Sequence, residues 1–424
     1  SNHSKPWIQY KIVLVHKKKT DPKIIIPAPI IAREKDQIVS IDLFLTDEQR
    51  MFREAVSKFA RAELASDAVS RANNDRIDPE TIKKMVDMGL LGIMIPTEDG
   101  GQGGTLVDAI IAIMEVALSC PRSADFVQAG NFGAIRTFAE YANDEQKERW
   151  LKPLLQGSLL MSVGMSEPEA GSAVTDLQTT ATPDGDGYRL NGTKVFGTHS
   201  GHADIILAYC RFGPGVGGIG SVIVEKGMDG FTKGQEIRYM NGEKWAQLYF
   251  DNVYIPPENI LLGAGGFKKQ ISGFNVERLG NSSRAVAVGR HAYEVARQHA
   301  LTRKQFGQLL CEFQGIQWKF ADMAVKLDAA EMMLMRAAVK AGGGLPDAYD
   351  TSTAKLMCNE AGFFAANEAL QVMGALGFGE DHIVQYCMRR TRGWMIAGGT
   401  LEILRNRIAE GVFERRFAQR PAKS

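Results

Sequence analysis

A chain of 424 residues, 45% apolar and 23% charged, is long enough to bury two or three packed regions and has the composition of an ordinary globular protein. Its net charge of +1 excludes a general nucleic-acid binder, which would show a basic excess. No run of about 18 apolar residues occurs, so no membrane-spanning helix is expected.

Residues 1–40 hold eight Lys/Arg against three Asp/Glu, with KKK at 17–19. They lack the apolar stretch of a signal peptide and the Arg/Ser bias of a transit peptide. Residues 1–42 therefore read as an N-terminal extension or leader outside the fold. From 43 to 160 the pattern is helical. Thr46-Asp-Glu-Gln49 fits a capping box, with Phe52, Val56 and Phe59 following at helical spacing. Asp78-Pro79 is an N-cap followed by proline, and Gly89 is a stop. Leu106 to Leu118 is apolar almost all round, the mark of a central helix. From 161 to 272 short strand-like runs (Ala203–Cys210, Ser221–Glu225, Gln247–Tyr254) alternate with Gly and Asp clusters, predicting a small antiparallel sheet or barrel. From 273 to 424 helices return. Ile316, Phe320, Met323, Leu327, Ala330 and Leu334 form one stripe, glycines 342–344 with Pro346 break it, and a further helix spans about 350–373. The fold class is thus α+β: an N-terminal helical domain, a middle antiparallel β-sheet or barrel domain, and a C-terminal four-helix-bundle domain. Five scattered cysteines favour reduced core thiols in a cytosol-like compartment. His199 and His202 have no Cys or carboxylate flanking them, so no metal site is expected.

Four segments interrupt this patterning with glycine and polar residues: MSEPEAGSAVTDL (165–177), KVFGTHSG (194–201), TRKQFGQ (302–308), and the pair QVMGALGFG (371–379) with IAGGT (396–400). In this order, across an α–β–α chain, they resemble the acyl-CoA dehydrogenase family over about 43 to 418. The resemblance implies an FAD cofactor. Met165, Ser166, Gly171 and Ser172 would serve the flavin and its phosphates, with Ser172 also near substrate. Phe196 corresponds to the position beside the ring, and Thr198 to a hydroxyl near flavin N5. Arg303, Phe306, Gln371 and Gly374 resemble positions holding the pyrophosphate and adenosine of a neighbouring subunit's FAD; a guanidinium suits a diphosphate by its geometry. Thr400 and Glu402 complete the adenine-phosphate arm. The resemblance also implies a homotetramer built as a dimer of dimers, an electron-transferring flavoprotein as acceptor, and a cytoplasmic location, or the mitochondrial matrix in a eukaryote. The chain departs from the pattern at Ala173, where an acid is usual, at Ala375, where glycine is usual, and at Arg389-Arg390, where Arg-Asp is common.

The family removes an α-proton from an acyl-CoA thioester while the β-hydrogen leaves as hydride to flavin N5. Such chemistry needs a carboxylate at the α-carbon and donors at the carbonyl oxygen. Many members place that glutamate just before the last Gly-Thr, where this chain has Gly398. The Gly398 N–H keeps the oxyanion half of the site. A second group, including members acting on isovaleryl chains, carries the acid on the first bundle helix. In FNVERLGNSS (274–283) that position is Glu277. On residue pattern alone, a surface pairing of Glu277 with Arg278 or Arg284 competes with this role. Asn275, Arg278, Asn281 and Arg284 share the helix and are expected to line the substrate; an inward Arg284 would meet a second carboxylate, so the acyl group is branched or dicarboxylic. Alternatives within the fold are enoyl-thioester reduction, oxidation of a carrier-bound acyl group and removal of a sulfur group; outside it, a non-enzymatic helical scaffold.

Overall fold

The computed structural model describes residues 40–418, so nearly all of the expected extension lies outside the described residues. The chain folds as helices, then a sheet, then helices. The helix α1 (Asp47–Glu63) starts on a true capping box, Thr46 and Gln49 exchanging side-chain and backbone hydrogen bonds. The Asp78 carboxylate caps α2 (Pro79–Asp87) by accepting from the Thr81 N–H at 2.8 Å, and Gly89 takes φ +73° just beyond it. Thr105 and Asp108 form a second capping box at α3 (Leu106–Ser119), whose residues 109–117 are all buried. This is the central helix its all-round apolarity predicts. Cys120 then turns the chain directly into α4 (Pro121–Ala129).

Among the described residues the middle region forms an eight-stranded sheet and a two-stranded ribbon, Ile237–Arg238 against Lys244–Trp245. The strands of the sheet are β1 (Met161–Gly164), β2 (Thr180–Asp184), β3 (Gly187–Lys194), β4 (Ile205–Arg211), β5 (Ile219–Glu225), β6 (Phe231–Lys233), β7 (Leu248–Ile255) and β8 (Ile260–Leu262). The order is β8-β5-β4-β2-β3-β7-β6, with β1 beside β4. Most pairings are antiparallel, as expected, but β1 runs parallel to β4 with Met161 opposite Ile205. Parallel neighbours need a long connection. Here it includes the 165–177 loop and the β2–β3 hairpin, so the site loop leaves the C-terminal end of β1.

The last region is a bundle of α5 (Gly266–Thr302), α6 (Gln314–Ala341), α7 (Ala348–Met373), α8 (Ile383–Trp394) and α9 (Leu401–Val412). Its first helix begins at Gly266, ahead of the 273 expected, because the stretch Gly263-Ala264-Gly265-Gly266 gives no periodicity with which to place the start. One apolar core joins α1 and α3 to the bundle, from Val56 and Ile110 to Val288, Leu334 and Ala365. The seam between α5 and α7 is tight: a Cβ on Gly289 would lie 2.6 Å from the Cα of Gly362. Such glycines let two helix backbones approach.

Candidate active site

Glu277 sits on α5 where that helix passes from half-buried residues (271, 273–275) into a buried stretch (279–289). Its carboxylate accepts from Gln128 Nε2 on α4 at 2.9 and 3.0 Å and from the backbone N–H of Gly133. Gly133 has φ +67°, and a Cβ there would lie 3.3 Å from Glu277 Oε2, so the close approach depends on glycine. Burial pushes the Glu277 carboxyl up to about 6, against the opposing pull of Arg284, Gln128, Gly133 and Lys355. The competing surface pairings are not what forms. Arg278 donates to Asn275 Oδ1 at 3.0 Å, and Arg284 to Asp125 Oδ1 at 3.1 Å.

The glycine loop between α8 and α9 lies against the same neighbourhood. Gly398 and Gly399 take φ +71° and +96°, and Thr400 caps α9 by accepting from the Ile403 N–H at 3.4 Å. Among the described residues the Gly398 N–H is not donated to any protein acceptor. The Arg278 guanidinium stands beside Gly399. Under the loop is Lys355 of α7, fully buried, with Nζ donating to Gly399 O at 2.9 Å and Trp394 O at 3.3 Å.

The loop after β1 is anchored by a buried pair, Lys194 Nζ to Glu167 Oε1 at 2.7 Å. Glu167 also accepts from the Thr179 N–H at 2.9 Å, and Lys194 donates to the Met165 carbonyl at 3.2 Å. The Val195 N–H reaches Ser166 O at 2.9 Å, fixing two expected flavin segments side by side. Phe196 holds φ +63°, rare for an aromatic residue. Its ring is 57% exposed and 4.7 Å from Trp245, and Tyr239 donates to its carbonyl at 3.3 Å. Thr198 is exposed, while its carbonyl accepts from Ser162 Oγ at 2.7 Å. A strained, exposed aromatic on a braced loop, beside a half-buried Ser166 and a free hydroxyl at Thr198, suits one face and the polar edge of a planar ring system. Gly171 and Ser172 lie exposed farther along.

The other expected cofactor residues are not gathered there. Arg303 caps the far end of α5, Phe306 is 95% exposed at φ +49°, and Gln371 and Gly374 are exposed at the end of α7. Glu402 points to solvent from the first turn of α9. Asn281, expected at the substrate, is instead buried in the α5–α7 seam, where its Oδ1 accepts from Asn359 Nδ2 at 3.1 Å. It faces the partner helix because α5 is buried nearly all round beyond Leu279.

Single-position reading also missed a buried ionic network. Asp125, three residues before Gln128 on α4, receives Arg284, Arg390 Nη2 at 2.8 Å and the Tyr386 hydroxyl at 3.3 Å. Arg390 also pairs with Glu243, and Arg122 stands 3.5 Å from Asp125 and 3.8 Å from Glu243. Burial opposes ionisation of Glu243, but Arg390 holds its carboxyl well below the usual range. The Trp394 ring lies against both Arg284, at 4.8 Å, and Arg390, at 5.0 Å. At the Arg389-Arg390 departure, Arg390 thus finds its acids on α4 and in the segment before β7. Gln128, Gly133 and Lys355 gave no local signal, since each acts through a contact distant in sequence.

Residues 46–158, 162–253 and 264–413 match the N-terminal, middle and C-terminal domains of acyl-CoA dehydrogenase. The chain is 32% identical to the short-chain-specific acyl-CoA dehydrogenase of Clostridium acetobutylicum, over 88% of this chain and all of that one. It is 31% identical to the 3-sulfinopropanoyl-CoA desulfinase of Paraburkholderia xenovorans, covering 89% and 98% of the two chains. The solved butyryl-CoA dehydrogenase of Megasphaera elsdenii superposes with a TM-score of 0.80 at 31% identity, covering 87% and 99%.

Proposed function

Because the chain belongs to the acyl-CoA dehydrogenase family, we propose that it dehydrogenates an acyl-CoA thioester across the α,β-bond, with Glu277 as the base that takes the α-proton. One observation carries this reading: a carboxylate on the first bundle helix, held by Gln128 and Gly133 and pushed up to about 6, shares the neighbours Lys355 and Arg278 with a glycine loop whose Gly398 amide, among the described residues, is donated to no protein acceptor. An acid of that strength is ionised at neutral pH yet basic enough to accept a carbon-bound proton. Gln128 and Gly133 fix the carboxylate's orientation, and the proton comes to rest on a Glu277 Oε. The Gly398 N–H donates to the thioester oxygen as charge builds there. FAD, the family's cofactor, supplies the acceptor for the β-hydrogen when bound. Ser166, Phe196 and Thr198 form its ring site in this reading, with Met165, Gly171 and Ser172 around it.

The rim of the site, Asn275 and Arg278, faces the bulky CoA end, and the acyl chain runs inward along α4 and α5. Arg284 does point inward, the condition set for a dicarboxylic substrate, but Asp125 already neutralises its guanidinium. A neutral acyl chain, linear or branched, fits that floor better than a second carboxylate. Removal of a sulfinate is the second reading, favoured by the 31% identity to a desulfinase. The exposed Arg303, Phe306, Gln371 and Gly374 support a homotetramer in which a neighbour's FAD covers them, and an electron-transferring flavoprotein is the proposed acceptor.

The deciding experiment mixes FAD-loaded protein anaerobically with linear, branched, dicarboxylic and 3-sulfinopropanoyl thioesters. Loss of flavin absorbance with a neutral acyl-CoA supports the proposal. Sulfite release without flavin bleaching would replace it with the second reading. A protein that FAD cannot reconstitute would refute both.

A further inference from the structure

Lysine is among the residues least often fully buried, yet Lys355 has no solvent exposure. Its Nζ recovers its lost hydration from two carbonyls at either end of one short segment, Trp394 at 3.3 Å and Gly399 at 2.9 Å. A trans peptide is planar, with its C=O and N–H on opposite sides. Drawing the 394 and 399 carbonyls toward α7 therefore turns the paired N–H groups, those of Met395 and Thr400, away from it. Gly398 lies just inside the second anchor, Gly399, and both are in the left-handed region, where the backbone has no side chain of its own to hold it. The Lys355 stem also lies under this turn, with Cε 3.6 Å from where a Gly398 Cβ would stand. Burial, aided by the Arg278 and Arg284 charges and opposed by Glu277, pushes the amine down to about 7. The strut thus feels both walls of the site.

We propose that Lys355 is a positioning residue for the oxyanion side: it pins the Trp394 and Gly399 carbonyls so that the amide of Gly398 faces the thioester oxygen. This rests on the role given above to Gly398. Lys355 touches neither substrate nor cofactor; it acts through the loop.

The test compares FAD-loaded wild type with Lys355→Met, which keeps length but removes donor and charge, and with Lys355→Gln, which restores N–H donors without charge. Amide hydrogen exchange of residues 395–400 is read by mass spectrometry, and kcat, KM and thermal midpoint are measured alongside. The expected result for Lys355→Met is exchange at least about ten-fold faster in this loop, kcat lower by about 10- to 100-fold and KM within about three-fold, since loss of a whole oxyanion donor costs about 100- to 1,000-fold. Lys355→Gln should recover part of kcat. A lowered thermal midpoint with loop exchange and kcat unchanged would make Lys355 a mere helix staple and overturn the proposal. If Lys355→Met does not fold, the Gln variant decides by the same two readings. If wild type oxidises no acyl-CoA, the dehydrogenase reading fails, while loop exchange still reports whether Lys355 holds the turn.

Discussion

Replacing Glu277 with glutamine should move activity and stability in opposite directions. The carboxyl is raised from 4.5 to about 6 by burial, so its ionised form is held in the native state at a cost. A shift of that size corresponds to about 2 kcal/mol, an upper figure because the side chain keeps partial solvent access. The sign follows from the direction of the shift. A carboxyl whose folded pKa lies above its unfolded value contributes stability below pH 4.5, and that contribution is lost as pH rises through 6. Glu277→Gln, which cannot ionise and still offers an oxygen to Gln128 and Gly133, should therefore be more stable than wild type at pH 8 by up to about 2 kcal/mol. At pH 4.5 the two should match. Catalysis runs the other way: loss of a general base lowers the rate by about 100- to 10,000-fold. The wild-type rate should rise with pH through a midpoint near 6, and the variant should lose that limb. Urea unfolding at pH 4.5 and 8, with α-proton exchange into deuterated water across the same range, measures both. A variant that exchanges the α-proton at the wild-type rate, or a wild-type rate flat from pH 5 to 8, would refute the assignment.

Arg390→Met should destabilise the fold by about 3–5 kcal/mol in urea, because Asp125 and Glu243 would remain buried without their shared cation. Lys194→Met breaks the pair that holds Glu167 under the 165–177 loop, so the purified protein should retain less FAD, read from its visible absorbance, while far-ultraviolet circular dichroism is preserved. Arg303→Met alters an exposed residue at the far end of α5. It should leave the unfolding free energy of the isolated chain within about 0.5 kcal/mol of wild type yet lower FAD retention, the combination expected if a second subunit's cofactor reaches it. Equilibrium dialysis with FAD measures that directly.

What could be read from the sequence was local. Thr46 and Asp78 announce helix starts because a cap is a contact between residues three apart, and each makes that bond. The all-round apolarity of 106–118 likewise forces a central helix. Glu277 was legible only through its position in a familiar motif; its partners, Gln128 and Gly133, come from elements 149 residues away in the first case and joined only by folding. The same limit explains where the fold departs from the expectations. Asn281 has helical spacing with Glu277, but spacing tells which residues share a face, not what lies opposite, and opposite Asn281 is Asn359 rather than a cavity. Arg390 looked like a lost acid because the sequence shows one partner of a pair at a time. In the fold, Arg390 is neutralised by Asp125 and Glu243, which converge on it from two other elements. A substitution that seems to break a motif is therefore best judged against the buried charge around it. By that measure the arginine at 390 belongs to a neutralised interior, which is why the departure there leaves the case for Glu277 intact.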